Sequence, residues 1–447
     1  MAKRLVILGA GESGCGTALL GLTKGYDTFV SDFGKIKPRY SSELNEMGVE
    51  WESDKHTESK ILNADIIVKS PGIPDKAAII KKATEVGIKV VSEIEFAASF
   101  TDAKLIGITG TNGKTTTTLL IHHILKNAGI NVGLGGNIGK SFARQVANSI
   151  QDYYVLELSS FQLDGMFECR INQAVLTNIT PDHLDRYDYK LENYIQSKFR
   201  ITQNQEANDQ FIYCDDDTLT KQNLNSNQGN SQMLAFSINH EVQNGAFLSG
   251  SEIIVRQTKQ NKEFIMPINQ LTISGKHNIY NSMAAAIVVN SFEIRDDNVR
   301  KSFSDFQNVE HRMEWVGKVK GVEFINDSKA TNVNSAWFAL ESMETSVVWI
   351  AGGTDKGNDY SMLQKLIKEK VRVIVCMGLD NSKIHQAFGS DVELIINTTS
   401  AVEAVNAAYS FAKNGETVLL SPACASFDLF NDYEDRGNQF KLAVKAL

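Results

Sequence analysis

The chain has 447 residues, of which 42% are hydrophobic and 22% are charged, with 32 glycines and only 6 prolines. At roughly 150 residues per domain this length predicts about three domains, and the composition excludes disordered, collagen-like and coiled-coil proteins. Lys and Arg number 45 against 53 Asp and Glu, so the net charge of −8 argues against an extended basic surface for nucleic acid or anionic membrane.

The first segment alternates short apolar runs with helical stretches. The runs RLVILG, DTFVSD, ADIIVKS and IKVVSE are separated by stretches such as TALLGLTKG, AAIIKKATEVG and a polar helix around Glu43 to Gly48. Strand and helix in repetition predict a parallel sheet with helices on its faces. The apolar run Leu5 to Leu8 is too short for a signal peptide, so we interpret it as the first strand.

A second α/β segment begins with KLIGITG after a boundary near Glu93 to Asp102. The helix TTTTLLIHHILKNAG and the strands YYVLELS and QAVLTNI follow. Residues Lys221 to Gln232 are rich in Asn, Gln and Ser, which predicts a solvated loop. The longest apolar stretch here, Met283 to Val289, is far shorter than the 18 or so residues of a membrane span.

A third segment follows HRMEWVGKV, with its boundary near Phe306 to Val309. Its predicted strands, VEFIND, SVVWIAGG, VRVIVCMG, VELIIN and TVLLSPA, are apolar along their length, as in a parallel sheet covered on both faces. We therefore predict an α/β protein of three consecutive domains, a Rossmann-like domain (1–93), a P-loop mononucleotide-binding domain (94–307) and a second Rossmann-like domain (308–447). Ligands are expected at the carboxyl ends of strands and in clefts between domains.

A glycine-rich turn between a predicted strand and a predicted helix is the sharpest local signal. Its backbone N–H groups, the helix N-terminus and the Lys114 ammonium suit a nucleotide phosphate, and the Thr115 hydroxyl suits Mg2+. The common G-x-x-x-x-G-K-[ST] spacing would place glycine where this chain has Ile108, so the match is to a shorter loop. The predicted nucleotide-binding residues are Gly110, Thr111, Asn112, Gly113, Lys114, Thr115 and Thr116.

Two further turns lie at strand ends in the first segment. The glycines of GAGESG, at 9, 11 and 14, precede Asp32, which is the outline of a dinucleotide fingerprint. The turn is either a tight strand-to-helix connection or a diphosphate site, and no later motif supplies the hydride chemistry that an NAD role needs. The second turn, Ser70 to Pro74, closes the strand ADIIVK and is either a plain turn or part of the same site.

Three residues around the phosphate loop are candidates for a functional role. Glu157 ends an apolar strand, where a charge is costly unless it is paired or binds a metal. His183 follows the next strand, and Lys198 lies on the predicted helix NYIQSKFRI. A lone His or Lys is usually structural or solvated, but the shared position near Lys114 favours a functional role.

The third segment carries polar turns after three of its strands: NDSKATN from 326, GGTDKG from 352 and SPACASFD from 421. Each alone is an ordinary polar loop. Together they offer Lys329, Thr331, Lys356 and Ser426 to one crevice, which predicts a pocket for a small ligand that bears carboxylates.

These motifs together resemble the Mur ligases of peptidoglycan synthesis over essentially the whole chain. The resemblance rests on GTNGKTTT, GNIG at 136, ELSS at 157, TNITPDHLDRY at 177, GKHNIYN at 275 and HRME at 311. Within the family, SPGIP and SPACASFDLF resemble the members that add D-glutamate. The D-N-P-R type signature of members that add diaminopimelate or lysine is absent.

The resemblance implies an ATP-dependent ligase that adds D-glutamate to UDP-N-acetylmuramoyl-L-alanine through an acyl phosphate and a tetrahedral intermediate. It implies ATP and two Mg2+ ions, with Thr115, Glu157, His183 and a carbamylated Lys198 as metal residues and Lys114, His183 and Lys198 as catalytic residues. ATP would further contact Asn278, Asn281, Arg312, Asp327 and Lys329. The substrates would contact Ser13, Gly14, Asp32, Phe33, Ser70, Pro71, Gly72, Asn137, His183, Thr331, Lys356, Ser426, Phe427 and Tyr433.

Two alternatives remain open at this point. Another Mur-type or folylpolyglutamate-type amide ligase is disfavoured by the nucleotide-type first domain, and a non-enzymatic nucleotide switch is disfavoured by the separate carboxylate pocket. Five scattered cysteines without a C-x-x-C pair argue against a disulfide framework and a thiolate metal site, and they favour a reducing cytoplasm. We expect a monomer with small-molecule partners, no nucleic acid and no insertion into the membrane.

Overall fold

The computed structural model describes residues 2–225, 229–257, 262–273, 275–307 and 310–447. Three consecutive α/β domains are each built on their own sheet, as predicted. The first two sheets share one compact unit (1–274 and 278–306), and the third forms a second unit (275–277 and 307–447). Residues 308 and 309, part of the second predicted boundary, lie outside the described residues, and the three-domain limits at 93/94 and 307/308 stay predictions.

The first sheet has five parallel strands in the order β3-β2-β1-β4-β5. Its central strands are almost entirely buried because helices cover both faces. The strands are Arg4–Leu8 (β1), Asp27–Ser31 (β2), Glu50–Glu52 (β3), Ile66–Lys69 (β4) and Lys89–Val91 (β5); the helices are Glu12–Thr23 (α1), Pro38–Glu46 (α2), Glu58–Ile61 (α3), Ala78–Glu85 (α4) and Glu93–Ala98 (α5).

The second sheet has nine strands in the order β14-β13-β12-β11-β10-β9-β6-β8-β7. Strands β12, β13 and β14 pair with one another in antiparallel fashion and extend the parallel part of the sheet at one edge. The strands are Lys104–Thr109 (β6), Val132–Gly136 (β7), Tyr153–Glu157 (β8), Gln173–Leu176 (β9), Gln210–Cys214 (β10), Gln232–Ser237 (β11), Gly245–Ser249 (β12), Glu252–Gln257 (β13) and Lys262–Pro267 (β14). The helices are Lys114–Asn127 (α6), Phe142–Asn148 (α7), Ser160–Asp164 (α8), Leu191–Phe199 (α9), Thr218–Asn223 (α10), Lys276–Asn290 (α11) and Asp296–Asp305 (α12).

The third sheet has six strands in the order β15-β16-β20-β17-β18-β19, with only β15 antiparallel. Separate apolar clusters cover its two faces. The strands are Glu314–Val319 (β15), Val322–Asn326 (β16), Val347–Ala351 (β17), Val371–Met377 (β18), Leu394–Thr398 (β19) and Thr417–Leu420 (β20); the helices are Val333–Glu341 (α13), Gln364–Lys370 (α14), Ser382–Phe388 (α15), Ala401–Phe411 (α16) and Tyr433–Lys445 (α17).

The predicted loop over Lys221 to Gln232 is wrong at both ends. Its first three residues complete α10, which Asp217 caps by accepting a hydrogen bond from the backbone N–H of Thr220, and Gln232 opens β11. Residues 226–228 of that segment lie outside the described residues. Among the described residues, no helix combines the length and the apolar character that crossing a membrane requires.

Candidate active site

The glycine-rich turn joins the end of β6 to the start of α6, as predicted. Gly110 has φ +140° and Gly113, the residue before α6, has φ +85°. A Cβ atom on Gly113 would lie 2.4 Å from Asn281 Oδ1, and one on Gly110 would lie 2.0 Å from Thr177 Oγ1. Only glycine fits both positions, and the turn leads directly into the N-terminus of α6, where a helix attracts an anion.

The segment after β9 holds this turn from one side. Asn178 Oδ1 accepts a hydrogen bond from the Asn112 backbone N–H at 3.0 Å, and Asn178 Nδ2 donates to the Asn112 carbonyl at 3.0 Å. Thr177 Oγ1 donates to the same carbonyl at 2.6 Å. Neither Thr177 nor Asn178 is among the predicted site residues, although two polar residues directly after a buried strand are a usable sequence signal.

Two lysines converge on the turn. Lys114 Nζ donates to the carbonyls of Gly110 at 2.9 Å and Thr111 at 2.8 Å. Lys198 Nζ, on α9, also donates to the Gly110 carbonyl, at 2.8 Å, and to Thr109 Oγ1 at 3.3 Å. Lys198 is only 2% exposed, and its burial, together with the charge of Lys114, holds the pKa of its amine well below the usual range. An amine in this setting is readily neutral and nucleophilic.

Glu157 ends β8 beside the same turn and is 2% exposed. Its Oε1 accepts a hydrogen bond from Asn137 Nδ2 at 2.9 Å, whereas its Oε2 is buried with no hydrogen-bond partner among the described residues. A buried carboxylate oxygen in this state suits a divalent cation, and oxygen ligands are the ones Mg2+ prefers. Within the described ranges, no group of three or more His, Cys, Asp or Glu side chains is arranged to hold a metal, so an ion bound here would also need other groups, such as a hydroxyl. Thr115, predicted as one such hydroxyl, is buried with Thr116 in the first turn of α6.

His183 lies in the left-handed region, with φ +52°, just before a short turn of 3-10 helix. Its ring packs edge-on against Phe161, with the ring centroids 5.2 Å apart. Phe161 is held at the start of α8 by a capping box, in which Ser159 and Gln162 exchange side-chain and backbone hydrogen bonds. This local motif explains why the quoted ELSS segment points into the site.

A cavity of about 300 Å³ joins these groups within the first compact unit. It brings together the predicted residues Thr111, Lys114, Asn137, His183 and Lys198 with Pro71 and Gly72 of the SPGIP turn. The residues that sequence reasoning did not single out are Ser159, Ser160, Phe161, Asp182 and Tyr194. The cavity therefore links the phosphate loop to the first domain.

The first glycine turn is shaped by Asp32, which directly follows β2. Asp32 Oδ2 accepts from the Ala10 backbone N–H at 2.7 Å, and Oδ1 accepts from the Gly34 N–H at 2.8 Å. A Cβ on Gly14 would lie 2.0 Å from the Gly9 carbonyl oxygen, so α1 approaches the turn closely. The predicted substrate residues nearby are Ser13, which lies in the first turn of α1, Ser70, whose N–H donates to the Leu8 carbonyl, and Phe33, which is 74% exposed.

Two predicted nucleotide residues lie on α11 under the phosphate loop. Asn281 Nδ2 donates to Asn278 Oδ1 at 3.1 Å, and Thr117 Oγ1 donates to Asn281 Oδ1 at 3.3 Å. Both asparagines are buried. Asn281 is also the side chain that a Cβ at Gly113 would strike, so α11 sets the space available to the loop.

In the second compact unit, the three predicted polar turns do meet. Ser421 Oγ donates to Asp327 Oδ2 at 2.8 Å, which joins the turns after β16 and β20. Thr354 and Ala425 exchange backbone hydrogen bonds at 2.8 and 3.2 Å, which joins the turns after β17 and β20. Burial raises the pKa of Asp327 to about 7 although Arg312 acts to lower it.

The other predicted residues of this unit surround the same turns. Lys329 Nζ lies 5.2 Å from the ring centroid of Tyr433, and the Thr331 N–H donates to the Lys329 carbonyl. Ser426 is buried on the turn after β20, whereas Lys356 and Phe427 are exposed. Whether these groups contact D-glutamate stays a prediction.

A fully buried arginine that sequence reasoning missed holds these turns together. Arg436, on α17, donates to the carbonyls of Ser328 at 2.8 Å and Cys424 at 3.2 Å. Burial lowers its pKa to about 10. Its only sequence signal was a charged residue on the apolar side of an amphipathic helix.

Comparison with known proteins agrees with this geometry. Three sequence families match in order: the MurD-like N-terminal domain of Mur ligases over residues 3–92, the Mur ligase middle domain over 108–289 and the Mur ligase glutamate ligase domain over 311–424. A protein of Christiangramia forsetii named UDP-N-acetylmuramoylalanine--D-glutamate ligase is 56% identical over 447 residues, with all of both chains covered. The chain belongs to the Mur ligase family. A Bacteroides fragilis protein of the same name is 54% identical, again with both chains fully covered.

Solved structures of Mur ligases and a related ligase share the fold. The UDP-N-acetylmuramate-alanine ligase of Thermotoga maritima superposes with a TM-score of 0.63 at 18% identity, with 99% of each chain covered. A pseudomurein peptide ligase type C from Methanothermus fervidus gives a TM-score of 0.60 at 21% identity, covering 94% of this chain and 96% of that one. At these identities the likeness concerns the three-domain architecture alone.

Proposed function

We propose that this Mur ligase joins D-glutamate to UDP-N-acetylmuramoyl-L-alanine at the expense of ATP, in the synthesis of peptidoglycan precursors. One observation carries the proposal: a single cavity is lined by the phosphate-loop lysine, a second buried lysine and the SPGIP turn. Relatives that carry the name of this ligase and match the chain over its full length support the choice of substrates.

The first step is attack of the substrate carboxylate on the γ-phosphorus of ATP. The new bond joins a carboxylate oxygen to phosphorus, the bond to the β-phosphate oxygen breaks, and ADP leaves an acyl phosphate behind. Two anions must approach each other, so the barrier is largely electrostatic. Lys114 and the N–H groups at the start of α6 supply positive charge at the loop where the phosphate is expected to bind.

In the second step the neutral amine of D-glutamate attacks the acyl carbon. The tetrahedral intermediate expels inorganic phosphate and loses one proton from nitrogen, which leaves the amide. His183 lines the same cavity and is our candidate for accepting or relaying that proton. The turns around Asp327 and Ser426 are our candidates for holding D-glutamate and part of ATP, as their polar side chains and buried arginine support suggest.

We further propose that the site takes Mg2+ and a carbamylated Lys198. Glu157 Oε2 and the Thr115 hydroxyl are the side-chain groups that fit the ion, which would neutralise phosphate charge during transfer. A buried amine with a strongly lowered pKa is a good nucleophile toward CO2, so Lys198 fits the reaction that turns an amine into a carbamate. The carbamate would add oxygen ligands where an ammonium would repel the ion.

We place the reaction in the cytoplasm and expect a monomer. All five cysteines are buried as free thiols, as a reducing compartment favours. UDP-linked substrates and ATP are small molecules, so the proposed partners include no nucleic acid and no membrane.

The test of this function is phosphate release from ATP. We expect release only when UDP-N-acetylmuramoyl-L-alanine and D-glutamate are both present. Lys114→Ala should lower the rate by at least a hundredfold and leave binding of the UDP-linked substrate nearly unchanged, because the lysine serves the phosphate. Release without D-glutamate, or full turnover by Lys114→Ala, would contradict the proposal.

A further inference from the structure

The loop that carries His183 and the SPGIP turn of the first domain are joined by one arginine. Arg186 donates from Nη1 to the Gly72 carbonyl at 3.4 Å and from Nη2 to the Pro71 carbonyl at 3.3 Å. Its own backbone N–H donates to the His183 carbonyl at 2.9 Å. A single residue thus reaches the first domain through its side chain and the candidate catalytic histidine through its backbone.

The guanidinium of Arg186 stacks on an aromatic ring. Its central carbon lies 4.2 Å from the ring centroid of Phe161, which is close for a cation–π contact. The same ring packs against His183 at 5.2 Å, and Tyr187 stacks near it with an interplanar angle of 15°. Phe161 is in turn fixed by the capping box of α8. The ring on which Arg186 stacks is therefore positioned by the fold itself.

The Phe161 ring, on which Arg186 stacks, forms part of the boundary between two cavities. Phe161 lines the catalytic cavity of about 300 Å³ and also a larger neighbouring cavity of about 670 Å³, which Arg186 lines as well. Lys76 Nζ adds a weaker link by donating to the Asp185 carbonyl at 3.4 Å. Pro71 and Gly72, which Arg186 holds, face the catalytic cavity.

We propose that Arg186 is a positioning residue that sets the SPGIP turn in place for the UDP-linked substrate. The planar guanidinium can satisfy two carbonyls while it stacks on Phe161, whereas a lysine ammonium offers one point charge and no plane. The role is geometric and not a direct charge contact with substrate. It rests on the proposed function, because it assigns a part to the subsite of that same substrate.

The test compares Arg186→Lys with the wild-type enzyme. We expect KM for UDP-N-acetylmuramoyl-L-alanine to rise about tenfold, while KM for ATP stays within twofold and kcat within threefold. Calorimetric binding of the UDP-linked substrate in the absence of ATP should weaken by a similar factor. Phe161→Leu should raise the same KM. The KM of the double variant should be no more than about twofold higher than that of the poorer single variant, because both substitutions remove the same Arg186–Phe161 contact.

Arg256→Lys is the matched control. Arg256 also stacks on a phenylalanine, with its central carbon 5.2 Å from the ring of Phe247, and pairs with Glu241 and Glu263, but it lines neither cavity. Its three kinetic constants should match the wild type.

Two results would overturn the role of Arg186. One is a KM for the UDP-linked substrate that changes less than twofold in Arg186→Lys, since charge alone would then suffice. The other is an equal rise in KM for ATP, which would indicate general damage. If the wild-type enzyme itself fails to release phosphate with both substrates, the proposed function fails instead, so the two failures are distinguishable.

Discussion

At the scale of single residues, the candidate site is built on ionisable side chains that the fold buries away from water. Lys198 is buried beside Lys114, and the side-chain nitrogens of both donate to the Gly110 carbonyl. Glu157 contributes a buried carboxylate oxygen with no hydrogen-bond partner among the described residues. Buried groups of this kind are costly to folding, and such costs are typical of sites whose chemistry needs them.

The strongest residue-scale prediction concerns Lys198. We expect Lys198→Ala to lose at least a hundredfold in kcat, and added short carboxylates to restore part of the activity if a carbamate is the working group. Lys126→Ala, a change on the exposed last turn of α6, is the control and should behave as wild type. Wild-type activity in Lys198→Ala would show that the buried amine has no part in the reaction.

A second residue-scale prediction concerns pH. The folded-state pKa of Asp327 is about 7 against an ordinary 3.8, so between about pH 4 and 7 the folded protein holds a proton that the unfolded chain has lost. Stability should therefore fall as pH rises through that window, by up to about 1.4 kcal/mol per pH unit from this group. Asp327→Asn should remove this contribution from the slope of the unfolding free energy against pH, with the free energy measured by urea denaturation at each pH.

The control for this measurement is Asp297→Asn, which removes a carboxylate that is 95% exposed. Its slope should equal that of the wild type. A slope in Asp327→Asn that also matches the wild type would mean that the buried carboxyl titrates normally.

At the scale of elements, α6 shows how a local turn and distant packing act together. Four consecutive threonines follow Lys114 at the start of this helix; they are poor helix formers, and their side chains are all buried here. Packing against the sheet, and not helix propensity, therefore stabilises its first turn. The glycines at its two ends, Gly113 and Gly129, have similar positive φ values of +85° and +79° but different surroundings.

These two glycines make a matched pair of variants. Gly129→Ala meets no atom within 4 Å of its Cβ and should cost only the left-handed strain of about 1–2 kcal/mol. Gly113→Ala carries the same strain and also strikes Asn281 Oδ1, so it should destabilise the protein further and raise KM for ATP at least tenfold. Equal KM values for ATP in the two variants would show that the loop does not cradle the nucleotide.

The elements also show what the sequence could and could not predict. The buried parallel strands, such as VVWIA of β17, were predictable because burial on both faces requires a continuous apolar run. The edge strand β15 contains only partly exposed and exposed residues and pairs with one neighbour, β16. It therefore lacks the continuous apolar run that identifies a buried strand in the sequence. The hairpin strands β12–β14 and the helix α17 were likewise missed.

The site divides along a similar line. The phosphate loop and Glu157 could be located from a recognisable turn and a strand end, whereas Lys198 was linked to them only by its position near Lys114 and by the family resemblance; their roles stay predictions. Phe161 and Arg436 were not, since their roles arise from contacts with residues distant in sequence: Phe161 with Arg186, and Arg436 with Ser328. A local pattern cannot report contacts of this kind.

At the scale of the whole molecule, the proposed reaction divides between two compact units. The first carries the phosphate loop, Lys198, Glu157 and the SPGIP turn, which are the parts we assign to activation of the carboxylate. The second carries the joined turns around Asp327 and Ser426, which we assign to the amino acid and part of ATP. The central claim is that the carboxylate of the UDP-linked substrate is activated by phosphate transfer.

The most direct measurement follows an oxygen atom. UDP-N-acetylmuramoyl-L-alanine labelled with 18O at both carboxylate oxygens is turned over with ATP and D-glutamate, and the inorganic phosphate is analysed by mass spectrometry. An acyl phosphate predicts one 18O atom in each phosphate released, because the attacking carboxylate oxygen leaves with phosphorus. Unlabelled phosphate accompanying amide formation would contradict the account.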